Sequence, residues 1–69
     1  SNPRLNALKV LHAAGKLSKR ELKLYQKVNL YETIENATRT AMLRNPRSRT
    51  KAAHRQALKD LERALSKFD

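Results

Sequence analysis

Leu5, Leu8, Leu11 and His12 fall on one side of a helix drawn through the first fourteen residues, and Ala7, Val10 and Ala14 carry the apolar surface further round. Only Asn6, Lys9 and Ala13 fill the remaining arc. The apolar surface then covers about 200° of the helix, twice what a helix lying on a core requires. Asn2 is a favoured N-cap, Pro3 suits the first helical position, and Gly15 stands where a left-handed C-cap residue is needed. These signals predict a short helix over about 3–14, with both of its neighbours, or something outside the chain, covering its wide face.

Ser18-Lys19-Arg20-Glu21 then forms a capping-box pattern, with Leu17 and Leu22 placed as a hydrophobic staple around it. Neither Gly nor Pro intervenes before Asn45-Pro46, so a long helix is predicted over about 19–44, roughly 39 Å from end to end. Its apolar face drifts. Leu24, Val28 and Tyr31 line one side, whereas Leu30, Ile34, Ala37 and Ala41 lie about 100° round from them. Either one straight helix winds its contact face past two neighbours, or the chain makes four shorter helices with a break near Asn29. The single helix is preferred, because Asn29 is the only residue in the stretch that favours positive φ.

The third periodic segment is clean: His54, Ala57, Leu58, Leu61, Ala64, Leu65 and Phe68 share one face. Arg55, Lys59, Arg63 and Lys67 stand opposite, continuing every fourth residue from Lys51. A helix over about 48–67 is expected, with Asn45, Ser48 or Thr50 as its cap. The fold class is therefore all-α, a small three-helix bundle in a single domain spanning residues 1–69. The chain is either complete or a piece of a longer protein.

The run Ala14-Gly15-Lys16-Leu17-Ser18 with Glu21-Leu22 resembles a short bacterial two-helix C-terminal module. The short–long–medium order of helices is similar, in lengths alone, to the histone fold. Both likenesses rest on what any capped helical hairpin shows, and neither assigns a family.

Charge changes the picture more than composition does. Sixteen Lys and Arg face six Asp and Glu, a net of +10. Residues 1–20 carry Arg4, Lys9, Lys16, Lys19 and Arg20 and no acid. Residues 45–69 carry seven bases against Asp60, Glu62 and Asp69, while the middle of the chain is close to balanced. A field of this size attracts polyanions, of which nucleic acid is the commonest. No apolar run reaches membrane-spanning length, and the expected setting is a soluble protein of the cytoplasm, the nucleoid or the nucleus, with no membrane partner.

Catalytic chemistry finds little support. There is no Cys, and a single Gly cannot build a phosphate-cradling loop. His12 and His54 sit on apolar faces of different helices, where a structural role is expected. Glu32 and Glu35 are neighbours at i and i+3 but lack the histidine a carboxylate–histidine metal motif requires. No enzyme activity, metal or cofactor is expected.

Arg44, Arg47, Arg49, Lys51 and Arg55 are the first candidate site. They straddle a predicted helix N-terminus, where the macrodipole disfavours cations and a bound phosphate would offset that penalty. Lys16, Lys19 and Arg20 form a second basic cluster at the other end of the long helix, and Lys59 and Arg63 could join the two along helix three. With only Tyr25, Tyr31 and Phe68 as aromatics, stacking on unpaired bases is disfavoured, and phosphate contacts to duplex DNA or structured RNA fit better. The rival expectation is a protein–protein interaction, homodimer or adaptor module working through the wide apolar face of helix one.

Overall fold

The computed structural model describes residues 2–68; Ser1 and Asp69, including the carboxylate counted above, lie outside the described residues. Three helices follow in order: α1 (Pro3–Ala13), α2 (Lys19–Arg44) and α3 (Ser48–Leu65), closed by a 3₁₀ turn at Ser66–Phe68. The protein is all-α, and α2 passes Asn29 without a break. Asn29 caps nothing; its carbonyl accepts the Thr33 hydroxyl at 3.0 Å, and Thr38 and Thr40 bond back in the same way to Ile34 and Asn36. Each hydroxyl is thereby satisfied within the helix, so the polar residues of this stretch do not compete with helical geometry.

The ends of α1 follow their sequence signals closely. The Asn2 carboxamide oxygen accepts from the N–H groups of Arg4 and Leu5 at 3.0 and 3.2 Å. At the other end Lys16 N–H donates to the Leu11 carbonyl and Gly15 N–H to that of His12, a Schellman arrangement. Gly15 takes φ 74°, which a side chain would strain. His12 adds a clamp across the turn, its Nδ1 donating to the Leu17 carbonyl at 2.8 Å. The capping box opens α2 as read: Glu21 N–H donates to Ser18 Oγ, and Ser18 N–H to Glu21 Oε1.

The start of α3 differs from expectation. Its N-cap is Arg47, which offers no acceptor side chain, rather than Asn45, Ser48 or Thr50. Asn45 closes α2 instead, and Thr50 works from inside α3: its hydroxyl accepts the Arg47 N–H at 3.0 Å and lies 2.7 Å from the Asn45 carbonyl. Pro46 separates the two helices and fixes the chain direction between them. At its far end, α3 stops at Leu65 and tightens into the 3₁₀ turn rather than running on as α-helix to residue 67.

Packing is centred on α2, with α1 and α3 both lying antiparallel against it. The closest approach is between α2 and α3, where Ala57 and Ala64 are 2% and 4% exposed and Val28 of α2 is 8% exposed. Small residues let the two backbones come together there. Tyr25 and Phe68 lock the end of the pair, ring centroids 4.8 Å apart. His54 Nε2 meets Glu35 Oε2 at 2.8 Å midway, with Arg39 Nε 3.5 Å from the same oxygen. On the other flank Arg4 meets Glu32 at 3.1 Å.

The bundle is open. Its extents are 46 × 27 × 11 Å, so its least dimension is little more than one helix across. No residue of α1 is buried, and Val10 points away from both neighbours at 67% exposed. The wide apolar arc of the first helix is therefore only partly covered from within the chain.

Candidate nucleic-acid interface

Lys19, Lys23 and Lys27 recur every fourth residue along the first half of α2, a row about 12 Å long, with Arg20 beside it. Together with Leu24 these four cations line one groove. A second groove adjoins it between α2 and α3, sharing Leu24 and Lys27 and lined further by Tyr31, Asp60, Arg63, Ala64 and Lys67. Six cations from α2, α3 and the 3₁₀ turn thus lie along two adjoining shallow grooves, which a single carboxylate lines. That carboxylate, Asp60, accepts from the Gln56 carboxamide at 3.0 Å.

The convergence follows from helix geometry. At about 100° per residue, Arg63 and Lys67 fall on one flank of the Ala57–Ala64 stripe that packs on α2, so the close helix contact brings them to the edge of the groove. They do not stand opposite the packed face as the sequence suggested. Their position near the end of α3 also suits the helix dipole, which favours cations at a C-terminus. Lys19 and Arg20 lie at the unfavourable end of α2. There Glu21 supplies the compensating negative charge, and its carboxyl is held below the ordinary value of 4.5 by hydrogen bonds from the Ser18 backbone and hydroxyl.

The cations Arg44, Arg47, Arg49, Lys51 and Arg55 are all exposed and gather at the opposite end of α2. Arg47 donates through Nε to the Asn45 carboxamide at 3.1 Å, which braces it across the turn. The first turn of α3 carries no acid, and no side chain caps its N–H groups. The remaining candidates, Lys16, Lys59 and Arg63, are exposed as well: Lys16 in the α1–α2 turn, the other two on α3. Cations four residues apart advance by about 40°, so the row Lys51, Arg55, Lys59, Arg63 and Lys67 winds around α3 instead of running straight. It leaves the α2–α3 turn on the flank away from the groove and arrives inside the groove at Lys67.

Sequence reading did not include Lys23, Lys27 and Lys67 among the site residues. The signal was present in the 19–23–27 spacing, but its partner cations come from α3 and meet it only through packing. Among the described residues the ion pairs are Arg4–Glu32, Arg39–Glu35 and His54–Glu35, and none uses a groove cation. Among those residues, too, no group of three His, Asp or Glu side chains gathers as a metal site, and no helix is long and apolar enough to cross a membrane. Comparison with protein-family models, with curated proteins and with solved structures gives no match to this chain.

Proposed function

We propose that this protein binds nucleic acid, gripping the phosphate backbone of duplex DNA or structured RNA. The observation that carries the reading is the groove in which Lys19, Arg20, Lys23, Lys27, Arg63 and Lys67 converge around one carboxylate. Lysine dominates there, which suits point-charge contact with phosphates more than bidentate reading of base edges. The arginines Arg44, Arg47, Arg49 and Arg55, with Lys51, form the second contact region, roughly 32 Å along α2 from the centre of the first. Lys59 lies on the winding row between them, and Lys16 extends the groove end. Both regions together would follow a backbone over more than one helical turn of duplex, since one turn is about 34 Å. The groove holds a single aromatic ring, Tyr31, short of the row of rings on which successive unpaired bases stack.

Titration of the protein into labelled duplex DNA, duplex RNA and single strands at 50 and 200 mM salt tests this. Binding that prefers a double-stranded ligand and collapses between the two salt concentrations is expected. Absence of binding to every one of these ligands at 50 mM salt contradicts the reading.

A further inference from the structure

Asp60 is out of place in a surface that meets phosphates. It is half-buried, it lines the α2–α3 groove with Lys27, Tyr31, Arg63 and Lys67, and no other acid lines either groove. Charge neutralisation is the plain account of a carboxylate among cations, and Arg63 stands three residues on, within reach for a pair. That pair is not made. Among the described residues the ion pairs join Arg4 to Glu32 and both Arg39 and His54 to Glu35, and Asp60 takes part in none of them. What Asp60 does accept is a hydrogen bond at Oδ1 from the Gln56 carboxamide, 3.0 Å away and one turn earlier on α3. That bond steadies the carboxyl group and leaves acceptor capacity at Oδ2 for a donor in the groove.

We infer that Asp60 accepts a hydrogen bond from a ribose 2′-hydroxyl, which makes the groove selective for double-stranded RNA over DNA. The inference rests on the backbone-gripping function proposed above and names its ligand. An ionised carboxylate can only accept. The sugar–phosphate backbone of DNA offers acceptors and no O–H or N–H donor, whereas each ribose of RNA adds one donor, the 2′-hydroxyl. A DNA strand laid along Lys27, Arg63 and Lys67 therefore meets repulsion at Asp60 without a compensating bond. An RNA strand on the same path gains a charge-assisted hydrogen bond there. Asp60 precedes Arg63 by about 4.5 Å along α3, so a strand whose phosphate meets Arg63 brings an adjoining sugar to Asp60. Duplex RNA suits this approach, because its wide, shallow minor groove displays the 2′-hydroxyls. The other donors open to a carboxylate, the amino groups of cytosine and guanine, lie on base edges. Asp60 is shorter than the lysines and arginine around it, so while those hold phosphates it reaches sugars before bases.

Anisotropy titrations at about 100 mM salt with three duplexes of one sequence, RNA, DNA and 2′-fluoro RNA, test this. The 2′-fluoro duplex keeps the A-form and the phosphates but has no donor on its sugars. The wild-type chain is expected to bind RNA at least about tenfold more tightly than either of the others, the yield of one hydrogen bond to a charged group. Asp60→Ala, with helicity checked by circular dichroism, is expected to bring the ratio of RNA to 2′-fluoro affinity close to one. The wild-type comparison is independent of any variant's folding. Equal wild-type affinity for RNA and 2′-fluoro RNA overturns the inference and leaves the phosphate-binding function standing. So does a ratio that Asp60→Ala does not change, or one that vanishes when G·C pairs are replaced by A·U, which puts the carboxylate on a base edge. Absence of binding to all three duplexes overturns the inference together with the function it rests on.

Discussion

The two basic ends of α2 are built by different means. At one end Arg44, Arg47, Arg49, Lys51 and Arg55 are a run in the sequence, fanned around a turn and the first coils of α3. At the other, Lys19, Lys23 and Lys27 of α2 meet Arg63 of α3 and Lys67 of the 3₁₀ turn in a groove lined also by Leu24 and Ala64. A run of cations guarantees local charge, but it fixes neither direction nor spacing. The groove lies along the closest helix contact in the molecule, where Val28, Ala57 and Ala64 are buried, so the backbone positions that carry its cations are set before any ligand arrives. Pre-positioned charge loses less side-chain freedom on binding. On this account the groove supplies most of the affinity and the turn supplies added reach.

The largest expected effect is on the groove. Lys23→Glu with Lys27→Glu is expected to weaken duplex binding about 100-fold at 100 mM salt, two phosphate contacts being replaced by two repulsions. Arg47→Glu with Arg49→Glu is expected to cost nearer tenfold in the same anisotropy titration, because those side chains fan around a turn and do not converge on one groove. Equal losses would erase the distinction between the two ends. Prying the helices apart sharpens it: Ala64→Leu overfills the α2–α3 contact and is expected to destabilise the fold by about 1–3 kcal/mol in urea. It should weaken binding through the groove while leaving the contribution of Arg47 and Arg49 intact.

Thr50→Ala acts on the other end alone. It removes the hydroxyl that takes the Arg47 N–H and reaches the Asn45 carbonyl, and about 1 kcal/mol of stability is expected to go with it. The smallest effect concerns acid. Glu21 has its pKa lowered in the folded state, so its contribution is fully present above 4.5 and is lost as pH falls through the folded value. Circular dichroism below pH 4.5 should therefore show a small loss of stability that Ser18→Ala abolishes.

Much of the fold is legible in the chain because its punctuation is local. Asn2, Pro3, Gly15, Ser18 and Glu21 each act within a few residues of their own position, and each does in the structure what its type and spacing imply. The α3 start was less legible for the same reason. Asn45, Ser48 and Thr50 all offer plausible cap chemistry, and the choice among them depends on how Pro46 directs the chain between two packed helices. The groove was legible only in half. Lys19 and Arg20 stood out beside the capping box, and Arg63 on the amphipathic third helix. Lys23 and Lys27 carry no local signal of a site, and they join one only where packing brings Arg63 and Lys67 alongside. The openness of the bundle was visible early in the excess apolar arc of α1. Which apolar residues stay uncovered is set by how α1 and α3 meet α2, a property of packing and not of any one segment.

The most direct test is the salt dependence of duplex binding, measured for the wild-type chain and for Lys23→Glu with Lys27→Glu across 50–200 mM. Roughly six groove contacts predict a log–log slope of about −5 for the wild type, falling in magnitude by about 2 in the variant. A wild-type slope near zero, or a variant slope equal to that of the wild type, would contradict a groove that works by gripping phosphates.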